Sequence, residues 1–170
     1  TKEIVSISGV SSAVIAAAAR IGILNEEITP RDRPYPVLNP NFKSKKLSPS
    51  QINACTAIMD LQKKNSFSSI LLQGVTGSGK TEVYLEAVAN ALKNGEQVLV
   101  LLPEIALTSE FFNRVKNRFG ANPAEWHSGA TLAERRRIWK MVASGGAKLV
   151  IGARSALFLP FMNLGLVIVD

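Results

Sequence analysis

Residues 74–81 read Gly-Val-Thr-Gly-Ser-Gly-Lys-Thr: a glycine, four further residues, then Gly79-Lys80-Thr81. That spacing is the Walker A pattern, and each position has a physical task. Gly74, Gly77 and Gly79 open backbone angles closed to other residues. Successive N–H groups, those of Val75, Thr76 and Ser78 among them, can then converge on phosphate oxygens. A helix directly behind the loop turns its positive end to the same anion. Lys80 supplies a point charge for the outer phosphates, and the Thr81 hydroxyl a ligand for Mg2+. A glycine-rich turn between a strand and a helix is the plain alternative. The match at every position, between apolar Ile70-Leu71-Leu72 and an amphipathic stretch from Glu82, favours the phosphate cradle.

A second group lies at the end of the chain. Leu166-Val167-Ile168-Val169-Asp170 has the form of a Walker B strand, which places a carboxylate at a sheet edge to hold Mg2+ opposite Thr81. Apolar residues before an aspartate are common; pairing with the Walker A pattern gives this one weight. Lys80, Thr81 and Asp170 are therefore the catalytic candidates, the last two also the metal candidates. Gln51, on the first turn of a helix upstream of the loop, could offer its amide to an adenine edge, a surface glutamine being the plain reading.

These residues need a scaffold, and the pattern of the chain predicts one. After the loop, Val83, Tyr84, Ala87, Val88, Ala91 and Leu92 form the buried face of a helix stopped at Asn94-Gly95. Residues 97–102 read as a strand buried on both sides. A helix follows with Phe111, Phe112, Val115 and Phe119, then a short strand at 125–127. Thr131 with Glu134 opens another helix through a capping box, and strands at 148–151 and 166–169 complete the alternation. Strand and helix in turn predict an α/β fold, a P-loop NTPase parallel sheet flanked by helices, with loops gathered at the strands' C-terminal edge. Ahead of the loop, Ser48 caps a helix that begins at Pro49 and turns Ile52, Cys55, Ile58 and Met59 inward. Cys55 is then a small buried hydrophobe, not a catalytic thiol.

The first 28 residues outline helix, glycine-bearing turn, helix and strand, as in a winged helix-turn-helix. Ser11 or Ser12 caps the second helix and Gly22 ends it. Only Lys2 and Arg20 are basic there, so DNA contact and protein contact both stay open. Residues 29–46 carry Pro30, Pro34, Pro36 and Pro40 among five basic side chains and read as a linker of solvated charge. The expected domains are 1–40, a partial winged helix with its linker, and 41–170, the nucleotide-binding lobe.

The 170 residues are 46% hydrophobic, a globular composition and not that of a disordered tail, and their formal charge of +7 favours a polyanionic partner, with nucleic acid, an anionic membrane and simple solubility all open on charge alone. One cysteine permits no internal disulfide, and cytoplasm is the default compartment. Residues 13–24 are apolar but broken by Arg20 and Gly22, and no stretch is long enough to cross a membrane. Beginning at Thr1 and stopping at Asp170 after an apolar run, the chain reads as a piece of a larger protein, truncated at Walker B.

Three segments at strand ends combine loop formers with hydroxyls, backbone donors or a cation, the groups that hold a phosphodiester backbone. They are Pro-Glu-Ile-Ala-Leu-Thr at 103–108, Trp-His-Ser-Gly at 126–129 and Gly-Ala-Arg-Ser-Ala-Leu-Phe at 152–158. With the Walker segments they resemble superfamily 2 DNA helicases, and in wording the primosomal replication-restart (PriA) family, over residues 47–170. The resemblance implies an ATP-driven 3′ to 5′ helicase of RecA-like fold acting on forked and single-stranded DNA, with primosome proteins and single-strand-binding protein as partners in the bacterial cytoplasm. It further implies that Asp170 opens an Asp-Glu-Glu-His box and that Gln51 lies on the adenine side. Pro103, Glu104, Thr108, His127, Ser128, Arg154 and Ser155 would face DNA. The family's zinc site and second motor lobe fall outside this sequence, so the isolated piece is expected to be inactive.

His127 also fits a packed, hydrogen-bonded histidine, and Arg135-Arg136-Arg137 with Lys140 a solvated helix face. Other P-loop readings remain: a restriction- or chromatin-type translocase, a kinase or metabolic ATPase, or a nucleotide-switched DNA-binding module.

Overall fold

The computed structural model describes residues 8–24, 34–64 and 66–170. They fall into two compact units, Thr1–Arg33 and Pro34–Asp170. In the first, helix α1 (Ser12–Arg20) begins at Ser11 in extended conformation and ends where Gly22, at φ 77°, donates to the Ala19 carbonyl at 3.2 Å. The cap read at Gly22 is present. The other elements of the expected winged helix fall largely outside the described residues.

The second unit holds α2 (Pro49–Gln62), α3 (Lys80–Lys93), β1 (Gln97–Leu101), α4 (Ser109–Phe119), β2 (Ala124–Trp126), α5 (Leu132–Ala143), β3 (Leu149–Gly152) and β4 (Leu164–Val169). Short 3-10 turns at Glu104–Ala106 and Arg154–Phe158 follow β1 and β3. The strands form one parallel sheet in the order β2-β3-β1-β4. Because β1 pairs on both edges and is buried along its whole length, its side chains alternate between two dry cores. Val98 and Val100 face α3 and α4, meeting Tyr84, Leu85, Val88, Val115 and Phe119. Leu99 and Leu101 face α5, meeting Ile138 and Val142.

The buried arc of α3 is wider than its pattern suggests, since Leu85 and Ala89 are buried beside the expected residues. The reason is a third packing partner: α2 lays Cys55 and Ile58 on Val83 and Ala87. Burial pushes the Cys55 thiol up, with the nearby Glu86 carboxylate adding to it, which suits an inert core sulfur.

Two expectations need correction or extension. Residues 70–72 form no strand, and Leu71 is 81% exposed. A strand requires a ladder partner, and β4 is paired only with β1 among the described residues; Phe67 and Ile70 lie across a groove from Leu164 and Leu166. The proline-rich residues 34–46 are irregular, as their prolines require, yet they are fastened to the core. Leu38 packs against the β1–α4 side, the Asn39 N–H donates to the Phe119 carbonyl at 2.9 Å, and Tyr35 lies under the Arg137 guanidinium at 4.6 Å.

Gln97 is the one fully buried polar side chain among the described residues, and all its capacity is used. Its Nε2 donates to the Val142 and Ala147 carbonyls at 3.0 and 2.9 Å, while its Oε1 accepts from the Met162 and Asn163 N–H groups at 2.8 and 2.9 Å. One side chain thereby ties the end of α5 to the approach of β4. Q97L leaves the Ala147 carbonyl and the Met162 and Asn163 N–H groups without this partner, the Val142 carbonyl keeping the Gly145 N–H at 3.1 Å, and we expect a loss of about 3 kcal/mol in urea denaturation; a variant as stable as wild type would remove Gln97 from this role.

Candidate nucleotide site and the cleft at the strand ends

The loop at 74–79 leads straight into the first turn of α3, whose N-cap is Gly79. Gly77 and Gly79 sit at φ 79° and 81°, angles that side-chain-bearing residues rarely adopt. A Cβ on Gly79 would also stand 2.3 Å from the Gln51 Nε2. Lys80 folds back over the loop, its Nζ donating to the carbonyls of Gly74 at 2.8 Å and Val75 at 3.2 Å. The loop thus holds its own lysine where an anion would sit.

Gln51 has a second task besides the adenine contact considered for it. Its Oε1 accepts from the Ser48 N–H at 2.8 Å while Ser48 Oγ accepts from the Gln51 N–H, a capping box for α2. Its Nε2 donates to the Ser78 carbonyl at 2.9 Å, so the same side chain braces the phosphate loop.

Asp170 lies at the end of β4, fixed by its N–H donating to the Leu101 carbonyl at 3.0 Å. What joins it to the loop is Tyr84, one turn beyond Thr81 on α3. The phenol is flanked by the Thr81 hydroxyl and the Asp170 carboxylate; burial raises it well above its ordinary range, the Thr81 hydroxyl lowers it and the carboxylate raises it again. The Walker A threonine and Walker B aspartate, read separately from sequence, thus both act on one tyrosine, which the sequence marked only as core.

Pro103, Glu104, Arg154 and Ser155 line an open cleft of about 950 Å³ together with Asp170. Glu104 also borders a second cleft of about 620 Å³ with His127 and Ser128, where Glu125 and Lys116 join them. The charge there is mixed, and burial raises the Glu125 carboxyl. Thr108 stands apart from both, capping α4 by accepting from the Phe111 N–H at 3.3 Å and facing a third cleft with Lys43 and Lys45.

The loops after β2 and β3 are bound to one another. Trp126 Nε1 donates to Ser155 Oγ at 3.1 Å, and Arg135 donates to the carbonyls of His127 at 3.2 Å and Ser128 at 3.0 Å while lying 5.8 Å from the Trp126 ring centre. The reading of Arg135 to Arg137 as a solvated face holds for Arg136, which is exposed, and is corrected for its neighbours: Arg135 shapes the His127 loop and Arg137 covers Tyr35. The position of Arg135 on the first turn of α5, directly behind that loop, is the signal that could have found it.

A family model described as DEAD/DEAH box helicase matches residues 48–170. The chain belongs to the DEAD/DEAH box helicase family. Its parallel sheet with helices on both faces is the RecA-like α/β fold of such a helicase lobe. Three similar curated proteins carry the name Replication restart protein PriA. That of Rickettsia conorii is 47% identical over 133 residues, covering 78% of this chain and 20% of the relative. That of Bacillus subtilis is 40% identical over 165 residues, covering 94% and 20%. That of Haemophilus influenzae is 49% identical over 106 residues, covering 62% and 14%. The helicase segment thus spans about a fifth of the length of the first two relatives. The resemblance read from the loops at 103–108, 126–129 and 152–158 is borne out at these identities. No helix among the described residues is long and apolar enough to cross a membrane.

On the outer side of the first turn of α3, Glu82 accepts from Lys45 at 2.8 Å and from Arg114. Burial alone would raise its carboxyl; the hydrogen bonds of Lys45 and Arg114 outweigh that and hold it below the ordinary glutamate range. A carboxyl depressed in the folded state contributes stability that is complete above about pH 4.5 and is lost as pH falls through its lower folded value. Both cations are more than a third exposed, so the contribution is about 1 kcal/mol. E82Q should lose about that much in urea denaturation at pH 7, and the gap to wild type should shrink as pH falls through and below the ordinary glutamate range; a gap that stays constant as the pH falls would contradict the pairing.

Proposed function

We propose that this chain carries the N-terminal part of the ATP-binding lobe of a replication-restart DNA helicase that couples ATP hydrolysis to 3′ to 5′ unwinding at stalled forks. The observation that carries the proposal is the convergence of the phosphate loop and the Asp170 carboxylate on Tyr84, beside a cleft lined by Arg154, Ser155, Pro103 and Glu104. The backbone N–H groups of the loop and the start of α3 would receive the phosphates of ATP, with Lys80 released from its two carbonyls to the outer ones. Gln51, braced between Ser48 and Ser78, keeps a second N–H for a base edge.

Thr81 and Asp170 would hold Mg2+. A hydroxyl and a carboxylate suit that ion, which keeps several waters and takes its remaining ligands from phosphates. When bound, Mg2+ neutralises the phosphate charge that develops in the transferred group. Arg154 and Ser155, with His127 and Ser128 bound to them through Trp126 and Arg135, would take DNA phosphates. Forked and single-stranded DNA are the substrates of this reading, primosome proteins and single-strand-binding protein its partners, and the bacterial cytoplasm its place. A zinc site elsewhere in the protein and a winged helix of which residues 1–40 are part complete it.

DNA-stimulated ATP turnover by the full-length protein tests the proposal. K80A should abolish it, a loss of at least about 100-fold, and turnover indifferent to DNA would point to a metabolic ATPase instead. R154A should lower the slope of log affinity for single-stranded DNA against log salt by about 0.7; an unchanged slope would take Arg154 off the DNA path.

A further inference from the structure

Tyr84 is buried to 6% exposure, its ring packed among Leu85, Val88 and Val98, yet its hydroxyl has no hydrogen-bond partner. Phenylalanine would fill the same space without burying an unpaired polar atom, so packing does not account for the hydroxyl. Its surroundings do. It lies one helical turn beyond Thr81 on α3 and belongs to the same packed cluster as Leu166 and Ile168 of β4, the strand that ends at Asp170; Thr81, Asp170 and Arg114 are the polar side chains that act on it. We propose that Tyr84 is the positioning residue for both metal-holding side chains, linking them as Thr81 O–H to Tyr84 Oη and Tyr84 O–H to the Asp170 carboxylate.

The polarity of that chain follows from what each group can do. A threonine oxygen that gives a lone pair to a cation must send its proton elsewhere, and a phenol oxygen accepts it. The phenol proton then goes to a carboxylate, which only accepts. The link sets one lone pair of Thr81 and one carboxylate oxygen toward a common point between α3 and β4. Hydrogen-bond partners standing behind metal ligands typically govern affinity in this way.

The inference rests on the nucleotide-site reading, and its test separates the two. Binding of a fluorescent ATP analogue by the full-length protein is measured with and without Mg2+, for wild type and Y84F. Y84F should bind the metal-free nucleotide as wild type does, require about 10-fold more Mg2+ for half-saturation, and melt no lower than wild type. A wild-type Mg2+ dependence that Y84F leaves unchanged would overturn the positioning role alone. Wild-type binding indifferent to Mg2+ would overturn the metal reading and this inference with it. Should Y84F melt lower, the ratio of metal-bound to metal-free affinity within each protein still decides, because stability cancels from it.

Discussion

A single strand buried on both faces sets the geometry of everything proposed for this chain. β1 lies between β3 and β4 in parallel register, so the ends of all three strands come to one edge of the sheet. The loop at 103–108, the turn at Arg154–Phe158 and Asp170 are each the next residues of those strands. Their proximity is therefore enforced by backbone ladders in a dry core, not by contacts among the loops. Gln97 strengthens the opposite end of the same strand, where it gathers α5 and the approach to β4.

Much of the positive charge has an internal use. Arg118 donates from Nε and Nη2 to the Glu86 carboxylate at 2.9 and 3.1 Å and from Nη1 to the Pro40 carbonyl at 2.8 Å. Arg114 and Lys45 share Glu82, Arg135 holds a loop, and Arg137 covers an aromatic ring. The formal +7 of the sequence is consequently a poor guide to where a polyanion would lie. Arg154, exposed at a strand end beside Asp170, is a better guide than any run of basic residues.

How legible a feature was in the sequence followed the distance over which its cause acts. The caps at Ser48 and Thr131 each join residues three apart, and both form as local chemistry dictates. The apolar run of β1 announced its double burial. By contrast, Gln97 was hidden inside that run, since its partners at 142, 147, 162 and 163 come from remote segments. The apolar stretch at 70–72 looked like a strand because hydrophobicity is visible in sequence and a missing ladder partner is not. Tyr84 read as core, which it is; only the fold brings Asp170 to its hydroxyl.

The brace formed by Gln51 makes the start of α2 and the shape of the phosphate loop one equilibrium. Its amide cannot follow a moving Ser78 carbonyl without loosening the bond that closes the first turn of α2 at Ser48. Whatever reshapes the loop therefore changes how often that turn frays. Amide protons at the beginning of α2, remote from the sheet edge, become a clock for events in the cradle, and solvent exchange there would report occupancy without any label on the nucleotide.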